Sequence, residues 1–426
     1  MKNNALSFIR LGDIADFRNG LNFSKESHGK GCPLIGVGDF KDNFSPKWDE
    51  LEEINPDGVS KVEDYLKEGD LLFVRSNGNK ALVGRSLYIN KDIKALYSGF
   101  CIRARLKTDD ICPLFLAYFT KTQFFRDAIS FVAGTNINNL NQGILSEVRI
   151  PSYSKEKQAL IVKALSSIDK KIELNNRIKS ELEAMAKTLY DYWFVQFDFP
   201  DENGKPYKSS GGKMVYSDTL MREIPDGWHD GCASELISFN PTTYLSKGSM
   251  AKYIDMDSLP VKGFMTKRPK AKEFSGGAKF VKNDVAVARI TPCLENGKTA
   301  LLSRLEEGEV GFGSTEFIIL RGKNFPLFGF ASCLSRSESF RQFAIANMTG
   351  TSGRKRIDAK VLETYSLAIP PKDLLVKYEE IVSSFFKNMT VNSIENDELA
   401  DLRDWLLPML MNGQVTVNQS TEPKNV

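Results

Sequence analysis

Residues 161–189 read IVKALSSIDKKIELNNRIKSELEAMAKTL, and residues 378–406 read YEEIVSSFFKNMTVNSIENDELADLRDWL. Adding 217 to Ile161, Leu165, Ile168, Ile172, Leu182, Met185 and Leu189 lands on Tyr378, Val382, Phe385, Met389, Leu399, Leu402 and Leu406. The polar interruption repeats too, since Asn175 maps onto Asn392. Apolar steps of four, three and four form a heptad seam, in a stretch almost without Gly or Pro. This predicts one long helix from about Ser154 to Phe194 and a second from about Lys372 to Met411. About 36 helical residues would span about 54 Å. A lone helix with such a stripe would expose a large apolar surface, so each helix needs a partner. The spacing falters at Asn175-Asn176 and resumes at Ile178, and Asn175 and Asn392 are read as seam residues that set register at some cost in stability. A structural hairpin inside one core would satisfy the same pattern. An antiparallel coiled-coil spacer is preferred, because each helix follows a complete domain of its own.

Working outward, residues 1–153 read as a mixed α/β domain. Short apolar runs such as Leu34-Ile35-Gly36-Val37 and Leu71-Leu72-Phe73-Val74 are punctuated by Gly, Asn and Asp. One amphipathic helix is expected from Pro113 to about Val132, and Ile150-Pro151 closes the domain. The first spacer helix occupies 154–197, and 198–231 is a Gly-, Pro-, Lys- and Ser-rich connection whose Trp193, Phe194, Ile224 and Trp228 suggest pinned ends. Residues 232–371 repeat the first domain loosely, 372–413 form the second helix, and 414–426 a flexible tail. Gly69-Asp70-Leu71-Leu72 has its counterpart in Asn283-Asp284-Val285-Ala286, Gly134-Thr135-Asn136 in Gly350-Thr351-Ser352, and Ile150-Pro151 in Ile369-Pro370. The expected fold class is α/β (α+β): two pseudo-symmetric globular domains separated by two long antiparallel helices. A chain with two similar halves can present two similar surfaces, which suits a two-part target.

Composition narrows the chemistry. Basic and acidic residues nearly balance, 57 against 54, so nucleic-acid binding must come from local patches. Six scattered cysteines without a CxxC pair and only two histidines, His28 and His229, argue against a zinc site and for reduced thiols. No apolar run approaches the ~20 residues of a membrane span, and no signal-peptide pattern opens the chain, which places it in the cytoplasm. A motif for methylating exocyclic amines would need Asp/Asn-Pro-Pro and an aromatic; Asn240-Pro241-Thr242-Thr243-Tyr244 lacks the second proline. A P-loop is missing as well, and the carboxylates show no catalytic pattern. The chain reads as non-catalytic.

Positive features favour DNA. Arg75-Ser76-Asn77-Gly78-Asn79-Lys80 with Gly84-Arg85 is a polar loop leaving a strand, and Arg, Lys and Asn pair with base edges or phosphates. An ordinary solvated turn would look the same. In the second half Arg289 opens the equivalent loop, which runs to Lys298. The segment holding Asn136 and Asn138 matches in position the basic Arg354-Lys355-Arg356. Residues 262–282 add Lys262, Lys267, Arg268, Lys270, Lys272, Lys279 and Lys282 against only Glu273, though charge runs are usually solvated faces. The candidate DNA-binding residues are Arg75, Asn77, Asn79, Lys80, Arg85, Asn136, Asn138, Lys267, Arg268, Arg289, Lys298, Arg354, Lys355 and Arg356.

The chain resembles the specificity subunit of a type I restriction-modification system. The residues carrying the likeness are Leu11-Gly12-Asp13-Ile14, Gly69-Asp70-Leu71-Leu72, Ile150-Pro151 followed by Gln158, and Leu189-Tyr190-Asp191-Tyr192-Trp193-Phe194-Val195-Gln196-Phe197. Glu223-Ile224-Pro225-Asp226-Gly227-Trp228 and Leu406-Leu407-Pro408 belong with them. The resemblance implies two target-recognition domains, each reading half of a split DNA sequence, with the helices as a ruler for the unread gap. It implies docking of two methyltransferase subunits, which bring S-adenosylmethionine for adenine methylation, and of restriction/translocase subunits that use ATP and Mg. No cofactor is expected in this chain. The second domain departs from the pattern, with no Arg-Ser-Asn-Gly string after Ala288. A two-domain protein–protein adaptor with a coiled-coil spacer is the alternative, separable by salt-sensitive DNA binding. A fused restriction-methylation enzyme is disfavoured by the missing motifs.

Overall fold

The structure is a computed structural model that describes residues 7–41, 43–133, 139–351 and 353–417. Contacts divide the chain into two units, Met1–Lys170 with Leu399–Val426, and Lys171–Glu398. Each long helix therefore contributes to both.

In the first unit, the central sheet runs in the order Ala15–Asn19, Cys101–Leu106, Leu71–Val74, Ser86–Tyr88, all antiparallel. A second sheet orders Glu52–Ile54, His28–Ile35, Leu96–Tyr97, the last pair parallel. The second unit repeats this plan. Its central sheet is Ile237–Phe239, Phe317–Gly322, Val285–Ala288, Thr299–Leu301, and its other sheet is Lys270–Glu273, Met250–Ile254, Val310–Gly313, Ala278–Val281. Again one pair, Met250–Ile254 with Val310–Gly313, is parallel. Two-stranded ribbons close both units, Ser7–Arg10 with Arg149–Ser152 and His229–Cys232 with Ser366–Ile369. Pro151 sits inside its strand, which a ribbon edge tolerates.

The repeated Gly-Asp and Asn-Asp strings have a structural cause. Gly69 and Asn283 take left-handed φ of 89° and 65°, turning the chain into the central strand. Asp70 and Asp284 follow, each 1% exposed. Asp70 accepts from Lys67 N at 2.8 Å and from Arg105 Nε and Nη2 at 2.7 and 2.6 Å. Asp284 accepts from Val281 N at 2.8 Å and from Arg321 Nε and Nη2 at 2.7 and 2.6 Å. Both arginines stand on the neighbouring strand, so one ion pair locks turn to sheet in each unit.

The single helix expected over 113–132 is two, Pro113–Phe119 and Gln123–Ala133. The break comes from Thr120 and Thr122, whose hydroxyls donate back to Ala117 O and Phe119 O, while Thr122 Oγ1 also caps Phe125 N. The expected connection 198–231 is folded. It holds a hairpin, Met214–Ser217 with Arg222–Pro225, and Phe199 stacks on Tyr207 and Trp228 with centroids 4.7 and 5.3 Å away. Trp193, Phe194, Ile224 and Trp228 are all buried in the second unit's core.

The long helices run Lys155–Tyr190, extended by a wider helical turn over Asp191–Val195, and Lys372–Met411. In the first unit Ile161, Leu165, Leu407, Leu410 and Met411 join the domain core. In the second, Ala186, Tyr190, Leu375, Tyr378, Val382, Phe386 and Met389 do so. The helices pair antiparallel: Arg403 donates to Asp169 at 3.0 Å, and Tyr378 Oη donates to Ala186 O at 3.4 Å. Of the expected seam, Ile161, Leu165, Asn175, Tyr378, Val382 and Met389 are buried, whereas Ile168, Ile172, Leu182, Leu189 and Leu399 are half-buried. Three assignments shift by one residue. Phe386, Ser393 and Leu407 are buried where Phe385, Asn392 and Leu406 are only half-buried, and Met185 and Leu402 are exposed. A heptad pattern drifts by about 20° per repeat on a straight helix, so a fixed sequence offset loses the buried face.

The stripe does not falter at Asn175; polar residues fill it. Asn175 is fully buried and donates from Nδ2 to Glu395 at 2.7 Å and to Asn396 at 2.9 Å. Asn396 donates in turn to Asn176 at 2.9 Å. Asn392 has no part in this cluster.

Each long helix also caps a domain helix with a buried polar side chain. Gln158 accepts from Cys112 N at 2.8 Å, ahead of Pro113–Phe119. Glu379 accepts from Gly329 N and Phe330 N at 3.1 and 2.7 Å, at the start of Phe328–Arg336. Burial pushes the Glu379 carboxyl up to about 7 from 4.5, against the pull of those two N–H groups. Because the folded value lies above the unfolded one, its stabilisation is full below pH 4.5 and is lost as pH rises through 7. The second unit is expected to lose on the order of 3 kcal/mol between pH 4.5 and 8 from this group. Denaturant titrations across pH should show Glu379→Gln flattening that slope; an equal slope in the variant refutes the assignment.

Candidate nucleic-acid interface

The central strand of each unit ends in an arginine held by two flanking loops. Arg75 N donates to Phe100 O at 2.7 Å and Arg75 O accepts from Leu140 N at 2.8 Å. In the second unit Arg289 N donates to Glu316 O at 2.9 Å and Arg289 O accepts from Ile357 N at 2.9 Å. The same three-loop junction is thus built twice. In both units the arginine is tied to the stretch that precedes the closing strand, through Leu140 and through Ile357.

The candidate side chains differ in how committed they are. Arg75 is half-buried, with no side-chain hydrogen bond or ion pair among the described residues. Asn77 and Asn79 build the turn, since their Oδ1 atoms accept from Asn79 N at 2.8 Å and Ala81 N at 3.0 Å. Arg85 donates to the Lys41 carbonyl. The Lys80 side chain and all of Asn136 and Asn138 lie outside the described residues.

In the second unit several expected contacts are already spent. Lys298 Nζ donates to Met256 O and Asp257 at 2.9 and 3.2 Å. Arg268 pairs with Asp397 at 3.5 Å. Arg356 grips Glu316 through Nε and Nη2 at 2.7–3.1 Å, which holds that carboxyl below its usual range. Lys267, Arg354 and Lys355 are exposed, and their side chains make no ion pair among the described residues. Within the basic run, Lys270 pairs with Asp255 and Lys282 with Glu307, while Lys272 lies 4.3 Å from the Tyr253 ring and Lys279 5.8 Å from that of Phe274. Much of that run is balanced at home.

Two features escaped the sequence reading. Phe100, 57% exposed, sits at the Arg75 junction in the place Glu316 takes in the second unit. Tyr244, 82% exposed, follows the Asn240-Pro241 turn. A lone aromatic after Ser98-Gly99 was the available signal for the first. Among the described residues no group of three or more His, Cys, Asp or Glu side chains could hold a metal, and no helix is long and apolar enough to cross a membrane.

A duplicated α/β chain with paired long helices and a twice-built arginine junction is the class the geometry defines. Residues 4–184 match the family model described as the type I restriction modification DNA specificity domain. The chain is 24% identical over 327 residues to the MjaIX specificity subunit of Methanocaldococcus jannaschii, covering 73% of this chain and 71% of that one. It is 22% identical over 421 residues to the HindI specificity subunit of Haemophilus influenzae, covering 84% and 90%. To the EcoAI specificity subunit of Escherichia coli it is 28% identical over 239 residues, covering 52% of this chain but only 38% of that subunit. A crystal structure of a type I S subunit from M. genitalium shares the fold, with a TM-score of 0.55 at 15% identity over 96% of this chain and 98% of that one. In these comparisons the chain is similar to the type I restriction-modification specificity subunits.

Proposed function

We propose that this chain is the non-catalytic, sequence-specific DNA-recognition subunit of a type I restriction-modification complex. It reads a bipartite target in the cytoplasm, with domains 1–153 and 232–371 each taking one half-site. The observation that carries the reading is the arginine junction repeated at Arg75 and Arg289 in a chain similar to these specificity subunits. The long helices space the half-sites and dock two methyltransferase subunits, which supply S-adenosylmethionine; restriction/translocase subunits with ATP and Mg complete the assembly.

Arg75 is the leading base reader, because its guanidinium is uncommitted among the described residues. Arg75→Ala is expected to relax one half-site by about 1–3 kcal/mol per lost bidentate contact. Lys355→Ala should weaken binding to every sequence and lower the salt slope by about 1. Methylome sequencing of cells that express the chain with its methyltransferase, against cells lacking only the chain, tests the function. A modified adenine in a split motif with a fixed gap supports it. A well-formed complex that adds no motif and binds no DNA overturns it in favour of the adaptor.

A further inference from the structure

The string Asn240-Pro241-Thr242-Thr243, which failed as a methylation motif, has a different use. The strand Ala15–Asn19 pairs with its neighbour through five residues, whereas its counterpart Ile237–Phe239 stops after three. Asn240 turns away with a left-handed φ of 49°, and Pro241 has no N–H to continue the ladder. The departing chain is pinned: Asn240 N donates to Ile319 O at 2.7 Å, Asn240 Oδ1 accepts from Ile319 N at 2.9 Å, and Thr243 Oγ1 accepts from Arg321 at 3.2 Å. Between this loop and the segment Gly277–Lys279 a cleft of about 400 Å³ opens.

Its polar wall carries two cations, hydroxyls and an amide over an apolar floor. Lys279, Arg289, Thr242 and Thr315 face it, and no carboxylate is among the described residues that line it. Lys279 makes no ion pair among those residues, and Arg289 Nε is buried without a hydrogen-bond partner. Glu316, the acid next to Thr315, does not line the cleft; its hydrogen bonds go to Arg356, though its charge also acts on Arg289. The apolar floor, Phe317 and Ile319, is 2% and 1% exposed, so no aromatic face is offered for a base to stack on. Two cations and hydroxyls around a preformed hollow suit a compact anion, and a lysine supplies a point charge for phosphate rather than a planar fork for a base edge.

We propose that this cleft seats one backbone phosphate of the DNA duplex, with Lys279 and Arg289 as its charge partners and the Asn240–Thr243 loop as its wall. The inference rests on the DNA-recognition reading and deepens it: in the second unit Arg289 positions the duplex, while base reading falls to other side chains.

The test is a titration of the chain, in complex with its methyltransferase, against a random-sequence duplex pool at several salt concentrations. Lys279→Ala should weaken binding several-fold and reduce the salt slope by about 0.9, so that its deficit narrows about 3.5-fold from 50 to 200 mM salt. Lys279→Arg should restore most of the slope, and Arg289→Lys should keep it, which guards against a mere folding defect. The methylated motif should be unchanged in every variant. A Lys279→Ala complex with an unaltered slope overturns the cleft, as does one whose motif relaxes at a base position, because the hollow would then hold a base edge. If the unsubstituted complex itself shows no salt-dependent binding, the DNA reading falls together with the cleft.

Discussion

Asp284→Ala is expected to destabilise the second unit by about 3 kcal/mol, and Asp70→Ala the first by a similar amount, the lower end of the range for breaking a buried ion pair. The reason lies in what is left behind. Each alanine would abandon a guanidinium held at 2.6–2.7 Å and orphan one turn N–H. Arg105 and Arg321 keep 26% and 31% of their side-chain surface in solvent, which softens the loss. Two units need not unfold together, so a single midpoint would mislead. Hydrogen exchange on the full chain should therefore show lost protection confined to Val285–Ala288 and its neighbours for Asp284→Ala, and to Leu71–Val74 for Asp70→Ala. Loss spread evenly over both units would refute an equivalent local role.

Seven residues inserted in both long helices, level with Asn175 and Asn396, are expected to widen the unread gap by about three base pairs, since seven residues add about 10 Å. Both half-sites should stay as they are. The number seven follows from the buried stripe, whose three-and-four steps a heptad preserves. Four residues placed at Asn175 alone would turn the rest of that helix by about 40° and take Asn175 out of line with Glu395 and Asn396. Matched insertion is the test of the ruler; the four-residue insertion is expected to damage folding instead. Methylome sequencing reads the outcome, and an altered half-site or an unchanged gap in an intact complex would sink the idea.

The duplication was legible in the sequence because burial imposes a period on it. Apolar steps at Ile161–Leu189 and Tyr378–Leu406, and the Asp70 and Asp284 strings before their strands, repeat since the same core and the same turn must be built twice. The two-helix frame, the paired domains and the place of the arginine loops followed from that. Which face of the second helix is buried did not follow, because helical drift and the packed domain move it from Phe385 to Phe386 and from Leu406 to Leu407. Nor did the state of the cations. Arg75 and Arg356 look alike in sequence, but whether a guanidinium is uncommitted depends on a carboxylate such as Glu316, 40 residues away along the chain. Periodic burial is written locally and survives in one dimension. Charge pairing between distant loops exists only once the chain has folded, so the tertiary structure alone decides which of these side chains stay uncommitted.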